Sequence, residues 1–168
     1  VNPDQIVDEL GADAFRMYEM FMGAFDQAIP WSTEGARGCR RFLDRVWRLM
    51  EMLTDSDKVS SDMAYDVNFT IKKVSEDYER MKYNTAIAQM MSLVNAFYAK
   101  GQVTRGELRI LCLLLNPVSP HITEEINELC GLGPELFRSP WPKHDEKALV
   151  KETVEIAVQI NGKVRGRL

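Results

Sequence analysis

Cysteine and histidine are scarce in this 168-residue chain, with three of the first (Cys39, Cys112, Cys130) and two of the second (His121, His144). The cysteines are odd in number, and no CxxC or other ligand spacing joins them to the histidines. This excludes a disulfide framework and an ordinary zinc site, and leaves three reduced, mostly buried thiols. No apolar run approaches the ~20 residues of a membrane span, and no secretory leader is visible, so the expectation is a soluble, cytoplasmic protein. Basic charge is not in excess either. A net charge of −4 and a pI near 5.3 exclude wholesale attraction to nucleic acid, so any RNA contact must come from a local patch.

Apolar residues, by contrast, make up 45% of the chain, enough for one core, with or without an appendage. They concentrate between Tyr78 and Glu128. Ile87, Met90, Met91, Val94, Phe97 and Tyr98 recur at spacings that make one helix face, ending at Gly101. Thr104 and Glu107 have the spacing of a capping box. Leu108, Leu111, Leu113, Leu114 and Leu115 then surround the most buried helix, and Pro117 stops it. Ser119 and Pro120 are the expected cap and first turn of another helix, ending at Gly131. Asn84 and Asn95 are expected as buried, hydrogen-bonded amides. His121 is expected as a structural or capping residue, since two neighbouring glutamates supply no second His or Cys for a metal site.

Earlier in the chain, Asn2, Pro3 and Gln5 form a helix start and Gly11 a stop; a second helix is expected over 12–25, with Phe15, Tyr18, Met22 and Phe25 on one face. Ser32 caps a long helix expected over 33–53. Its apolar side carries Ala36, Cys39, Phe42, Leu43, Val46, Leu49, Met50 and Leu53; the opposite side carries Arg37, Arg40, Arg41, Arg45 and Arg48, with Asp44 the one acid between them. Two readings of the stripe stay open: a solvated face with salt bridges, or a surface that grips RNA phosphates through bidentate guanidiniums. Trp47, at the margin of the apolar face beside Arg40, is either core or a stacking surface for a base, with core favoured. After a polar connection, Val67, Ile71, Val74, Tyr78 and Met81 give a further helix over 63–81, with Lys72 and Lys73 paired to Glu76 and Asp77. Alternating β-branched residues over 154–160, then Asn161-Gly162, predict a terminal hairpin.

Three motifs carry a resemblance. Pro30-Trp31-Ser32 followed by the TEGARGCRRFLDRVWRL helix, Asn84-Thr85-Ala86-Ile87-Ala88 with Asn95 and Pro120-His121-Ile122-Thr123-Glu124-Glu125, and the closing VQINGKVRG resemble the anticodon-binding region of class I aminoacyl-tRNA synthetases, most of all the bacterial leucine group. The isoleucine and valine enzymes, and a helical scaffold without RNA contact, remain alternatives.

The resemblance implies an all-α bundle with a short C-terminal β-hairpin, divided as a connector (1–32), the bundle (33–150) and the start of a C-terminal domain (151–168). It implies a piece of a larger monomeric enzyme, because the KMSKS and HIGH signatures and any Gly-rich phosphate loop are missing. ATP and magnesium would belong to that parent, with no cofactor, metal or catalytic residue in this chain. Leucine tRNA and the missing catalytic and C-terminal domains would be the partners, held by backbone and shape contacts. The tRNA-binding residues would be Arg37, Arg40, Arg41, Arg45, Arg48 and Trp47, with Lys163, Arg165 and Arg167; these last three otherwise keep an edge strand soluble. Trp31 is expected to seat its loop and Trp141 to lie over a helix pair.

Overall fold

The computed structural model describes residues 2–24 and 26–150, and the backbone of 157–160 and 163–167. Helix α1 (Pro3–Leu10) starts where the Asn2 side chain accepts the Asp4 N–H at 3.0 Å. After Gly11 comes α2 (Ala12–Phe21), shorter than the expected 12–25. The chain turns away at Gly23, where the Ile29 side chain occupies the space that a Cβ would need. Phe25 lies outside the described residues.

Helix α3 (Thr33–Arg48) is capped as expected by the Ser32 hydroxyl, which accepts the Gly35 N–H at 3.1 Å. It does not run on to Leu53. The chain tightens into a 3-10 turn (Leu49–Met52), then extends as β1 (Leu53–Thr54), whose backbone pairs in parallel with β2 (Val103–Thr104). Nothing in the local sequence announces this two-residue ladder, because its strands lie far apart in the chain. Trp31 does seat the loop before α3: its ring meets Tyr18 edge-on at 4.7 Å, and the Tyr18 hydroxyl accepts the Ser32 N–H at 2.7 Å.

A short 3-10 turn (Ser61–Met63) leads into α4 (Ala64–Glu79), which packs along α5 (Tyr83–Lys100). Met81 is not on the apolar face. It stands in the turn between these helices with φ 55° and is 55% exposed, since the turn requires a left-handed residue there. Lys73 pairs with Asp77 as expected, but Lys72 reaches Glu146 at 3.2 Å rather than Glu76.

Helix α5 ends at Gly101 with φ 78°. Helix α6 (Arg105–Leu115) carries the full capping box and buries Leu108, Leu111, Cys112, Leu114 and Leu115. Burial pushes the Cys112 thiol pKa far up, so the group stays a neutral hydrophobe. Gly106 is obligatory for another reason: a Cβ there would lie 2.3 Å from the Asp57 carbonyl oxygen, so only glycine lets the loop after β1 close over α6.

Helix α7 (Pro120–Leu129) corrects the expected Ser119 cap. The Ser119 hydroxyl is buried and makes no hydrogen bond among the described residues, and the cap comes from α2. Asp13 accepts the Ile122 N–H at 2.7 Å and the His121 N–H at 3.4 Å, and its Oδ1 lies 2.8 Å from His121 Nδ1. One core joins all seven α-helices among the described residues, from Ile6 and Leu10 of α1 to Ile126 of α7. Trp141 lies over α4, its indole N–H donating to Ser75 at 2.8 Å. Strands β3 (Ala157–Ile160) and β4 (Lys163–Arg167) pair antiparallel, with a register irregularity that leaves Arg165 without a partner residue. Val154–Ile156 and Asn161-Gly162, also called for the hairpin, lie outside the described residues.

Candidate nucleic-acid interface

The 16 residues of α3 turn one side entirely into the core, through Ala36, Cys39, Phe42, Leu43 and Val46. The arginines therefore face outward, but they do not form a uniform patch. Arg37 is neutralised twice, by Glu9 of α1 and Glu34, each at 3.0 Å; these contacts, Glu9 first, raise its pKa further. Arg40 bonds Asp44 at 2.9 Å and donates to the Leu10 carbonyl at 3.1 Å, closing the end of α1. These two arginines act in part as packing clamps, and the expectation of an uncompensated stripe of five is corrected to that extent.

Arg45 is intermediate. It donates to Asn95 Oδ1 at 2.8 Å and lies 4.8 Å from the centre of the Tyr98 ring, whose hydroxyl donates to the Arg45 carbonyl at 2.8 Å. Among the described residues, no carboxylate forms an ion pair with it. Arg41 and Arg48 are exposed and make neither an ion pair nor a hydrogen bond among the described residues. Among the described residues, nothing takes up their donors.

Trp47 departs from the expected core position. It is 39% exposed and lines a hollow of about 420 Å³ with Arg40, Asp44, Leu43, His121, Ile122 and the turn from Leu10 to Ala14. Asn95 is exposed rather than buried, and serves as the acceptor for Arg45; Asn84 is partly buried, its side chain making no hydrogen bond among the described residues. The fully enclosed amide role falls to Asn127, 4% exposed, which accepts from Arg109 at 2.7 Å. Arg105 and Arg109 stand apart in the sequence and share no stripe with the arginines of α3. Both are consumed internally: Arg105 donates to the Cys130 and Gly131 carbonyls and to Asp57, and Arg109 to Asn127, Pro134 and Ser139. The side chains of Lys163, Arg165 and Arg167 lie outside the described residues.

Among the described residues, no group of three His, Cys, Asp or Glu side chains could hold a metal ion, and no helix is long and apolar enough to cross a membrane. The site is a surface of spare guanidiniums next to an aromatic hollow, suited to holding a polyanion.

A helical bundle with such a face falls within a recognised class: residues 62–168 match the family described as the anticodon-binding domain of tRNA ligase, and the chain belongs to that family. The leucine enzymes are the particular relatives. The chain is 51% identical, over its whole length, to the leucine–tRNA ligase of Alkaliphilus oremlandii (strain OhILAs), of which it covers 21%. It also superposes along its whole length, with a TM-score of 0.84 and 32% identity, on 24% of the chain of a LeuRS solved as a ternary complex with tRNA and LeuAMS from Agrobacterium radiobacter K84. The chain thus spans about a fifth to a quarter of the proteins it resembles.

Proposed function

We propose that this chain is the tRNA-holding part of a leucine–tRNA ligase, and that it grips the tRNA backbone with the outer face of α3. The parent enzyme would join leucine to its tRNA with ATP and magnesium in a catalytic domain outside this chain, acting as a cytoplasmic monomer. The present residues would supply position, not chemistry. Residues 1–32 would serve as the connector to the catalytic domain and 151–168 as the entry to a C-terminal domain, with Lys163, Arg165 and Arg167 adding phosphate contacts.

One observation carries the reading: Arg41 and Arg48 stand exposed and unneutralised beside Arg45 on a chain whose net charge is −4. An acidic protein that binds RNA needs such a local concentration, since phosphate contacts supply most of the affinity and no sequence information. Arg37 and Arg40 contribute less, because their carboxylate partners would have to be displaced.

The test is binding to a leucine tRNA across a salt series, comparing the protein with a variant in which Arg41, Arg45 and Arg48 are alanine. The expected result is weaker binding and a plot of log K against log salt shallower by roughly 0.7 to 0.9 for each lost phosphate contact. Equal affinity and slope in the two proteins, both folded, would overturn the assignment to α3.

A further inference from the structure

We propose that the hollow beside α3 is a receptor for one unpaired RNA base, with Trp47 as its stacking wall. This rests on the tRNA-holding reading and adds to it a site of different chemistry, because stacking needs no charge. Trp47 is 39% exposed at the edge of the most conspicuously basic helix, although Leu43, one turn before it on the same helix, is buried. The space in front of it, about 420 Å³, falls in the range of small-ligand sites and has room for a purine nucleoside.

The walls suit a base rather than a phosphate. Leu10, Leu43, Ala12, Ala14 and Ile122 provide apolar lining, and Gly11, with no side chain, leaves the floor open. Polar groups are few and held in place. Arg40 is fixed by its bonds to the Leu10 carbonyl at 3.1 Å and to Asp44 Oδ1 at 2.9 Å, and among the described residues nothing bonds the second oxygen of Asp44, which could accept from a base N–H. His121 is oriented by Asp13, 2.8 Å from its Nδ1, which leaves Nε2 for a ligand. A free carboxylate oxygen repels phosphate and favours a base edge that carries N–H donors. Bases available to such a site are those splayed from loops, which proteins take up by aromatic stacking and edge hydrogen bonds. Arg41 and Arg48, on the same helix, would hold the flanking phosphates.

The test compares Trp47→Ala and Trp47→Phe with the unaltered protein in leucine-tRNA binding across the salt series used for the arginine variant. Circular dichroism and thermal unfolding serve to establish that each variant folds. Stacking on an aromatic ring predicts a loss of about 5- to 100-fold for Trp47→Ala, with the salt slope unchanged, and recovery of most of it in Trp47→Phe. Arginine loss, in contrast, lowers the slope. If Trp47→Ala binds as tightly as the unaltered protein, or if Trp47→Phe is as weak as Trp47→Ala, the base receptor is refuted while the backbone grip stands. Failure of the unaltered protein to bind tRNA at any salt would refute both.

Discussion

Helices α3 and α6 are both rich in arginine, yet the two sets of guanidiniums do opposite work. On α6, Arg105 and Arg109 close the far end of α7 and the loop beyond it, donating to backbone carbonyls at positions 130, 131 and 134. On α3, Arg41 and Arg48 bond to nothing among the described residues, and Arg37 and Arg40 lie between these extremes. Charge counts alone do not distinguish a binding surface from an internal brace. What distinguishes them is the number of donors left after the protein's own acceptors have been served.

The comparison sharpens most when a group wholly inside is removed. Glu107, 0% exposed, accepts from the Thr104 N–H at 2.9 Å and the Ser60 N–H at 3.0 Å, and pairs at 3.4 Å with Lys100, whose side chain is 8% exposed. Glu107→Ala should cost about 2–4 kcal/mol in urea unfolding, because it leaves the Thr104 and Ser60 N–H groups without their acceptor and opens the start of α6, while Lys100 keeps Asp62 at 3.3 Å. Burial alone would raise the Glu107 pKa, but the Ser60 hydroxyl, the Thr104 and Ser60 N–H groups and Lys100 outweigh it and hold the pKa below the ordinary value. Its stabilisation is therefore complete above the unfolded-state pKa of about 4.3 and is lost as pH falls through the lower folded value. Glu107→Gln should show a shallower fall in stability across that acid window.

Next in size is Arg109→Ala, expected to cost about 1–3 kcal/mol by leaving the Asn127 carbonyl oxygen unpaired in the interior. It should leave the salt slope of tRNA binding unchanged. Asp13→Ala, which removes the cap of α7, should cost about 0.5–2 kcal/mol. Smallest is Arg48→Ala: stability within about 0.5 kcal/mol of the unaltered protein, but a lower salt slope. An Arg48→Ala protein that melts several degrees lower, or an Arg109→Ala protein with an altered slope, would break the distinction between brace and surface.

What could be read from the sequence follows the distance over which each feature is determined. The end of α5 and the start of α6 were legible because Gly101, Thr104 and Glu107 act within a turn of their own helices. The buried side of α3 was legible from periodicity, which reports a face without its partners. The fate of each arginine was not, since Glu9 reaches Arg37 from 28 positions away and Asn95 reaches Arg45 from 50. Trp47 sits at the angular edge of the apolar face, where only the neighbouring turn at Gly11 and the start of α7 decide whether it is covered. The parallel pairing of β1 with β2 and the cap on α7 are likewise contacts between distant segments.

That cap has a consequence for the stability of the bundle. Asp13 leaves the ribosome more than a hundred positions before the N–H groups it serves at 121 and 122. Helix α7 closes its first turn through the Thr123 N–H and the Ser119 carbonyl, but the N–H groups at 121 and 122 gain their side-chain cap only from α2. Docking of the opening helices therefore adds to the stability of α7 by about the worth of one cap, which couples the two ends of the described bundle.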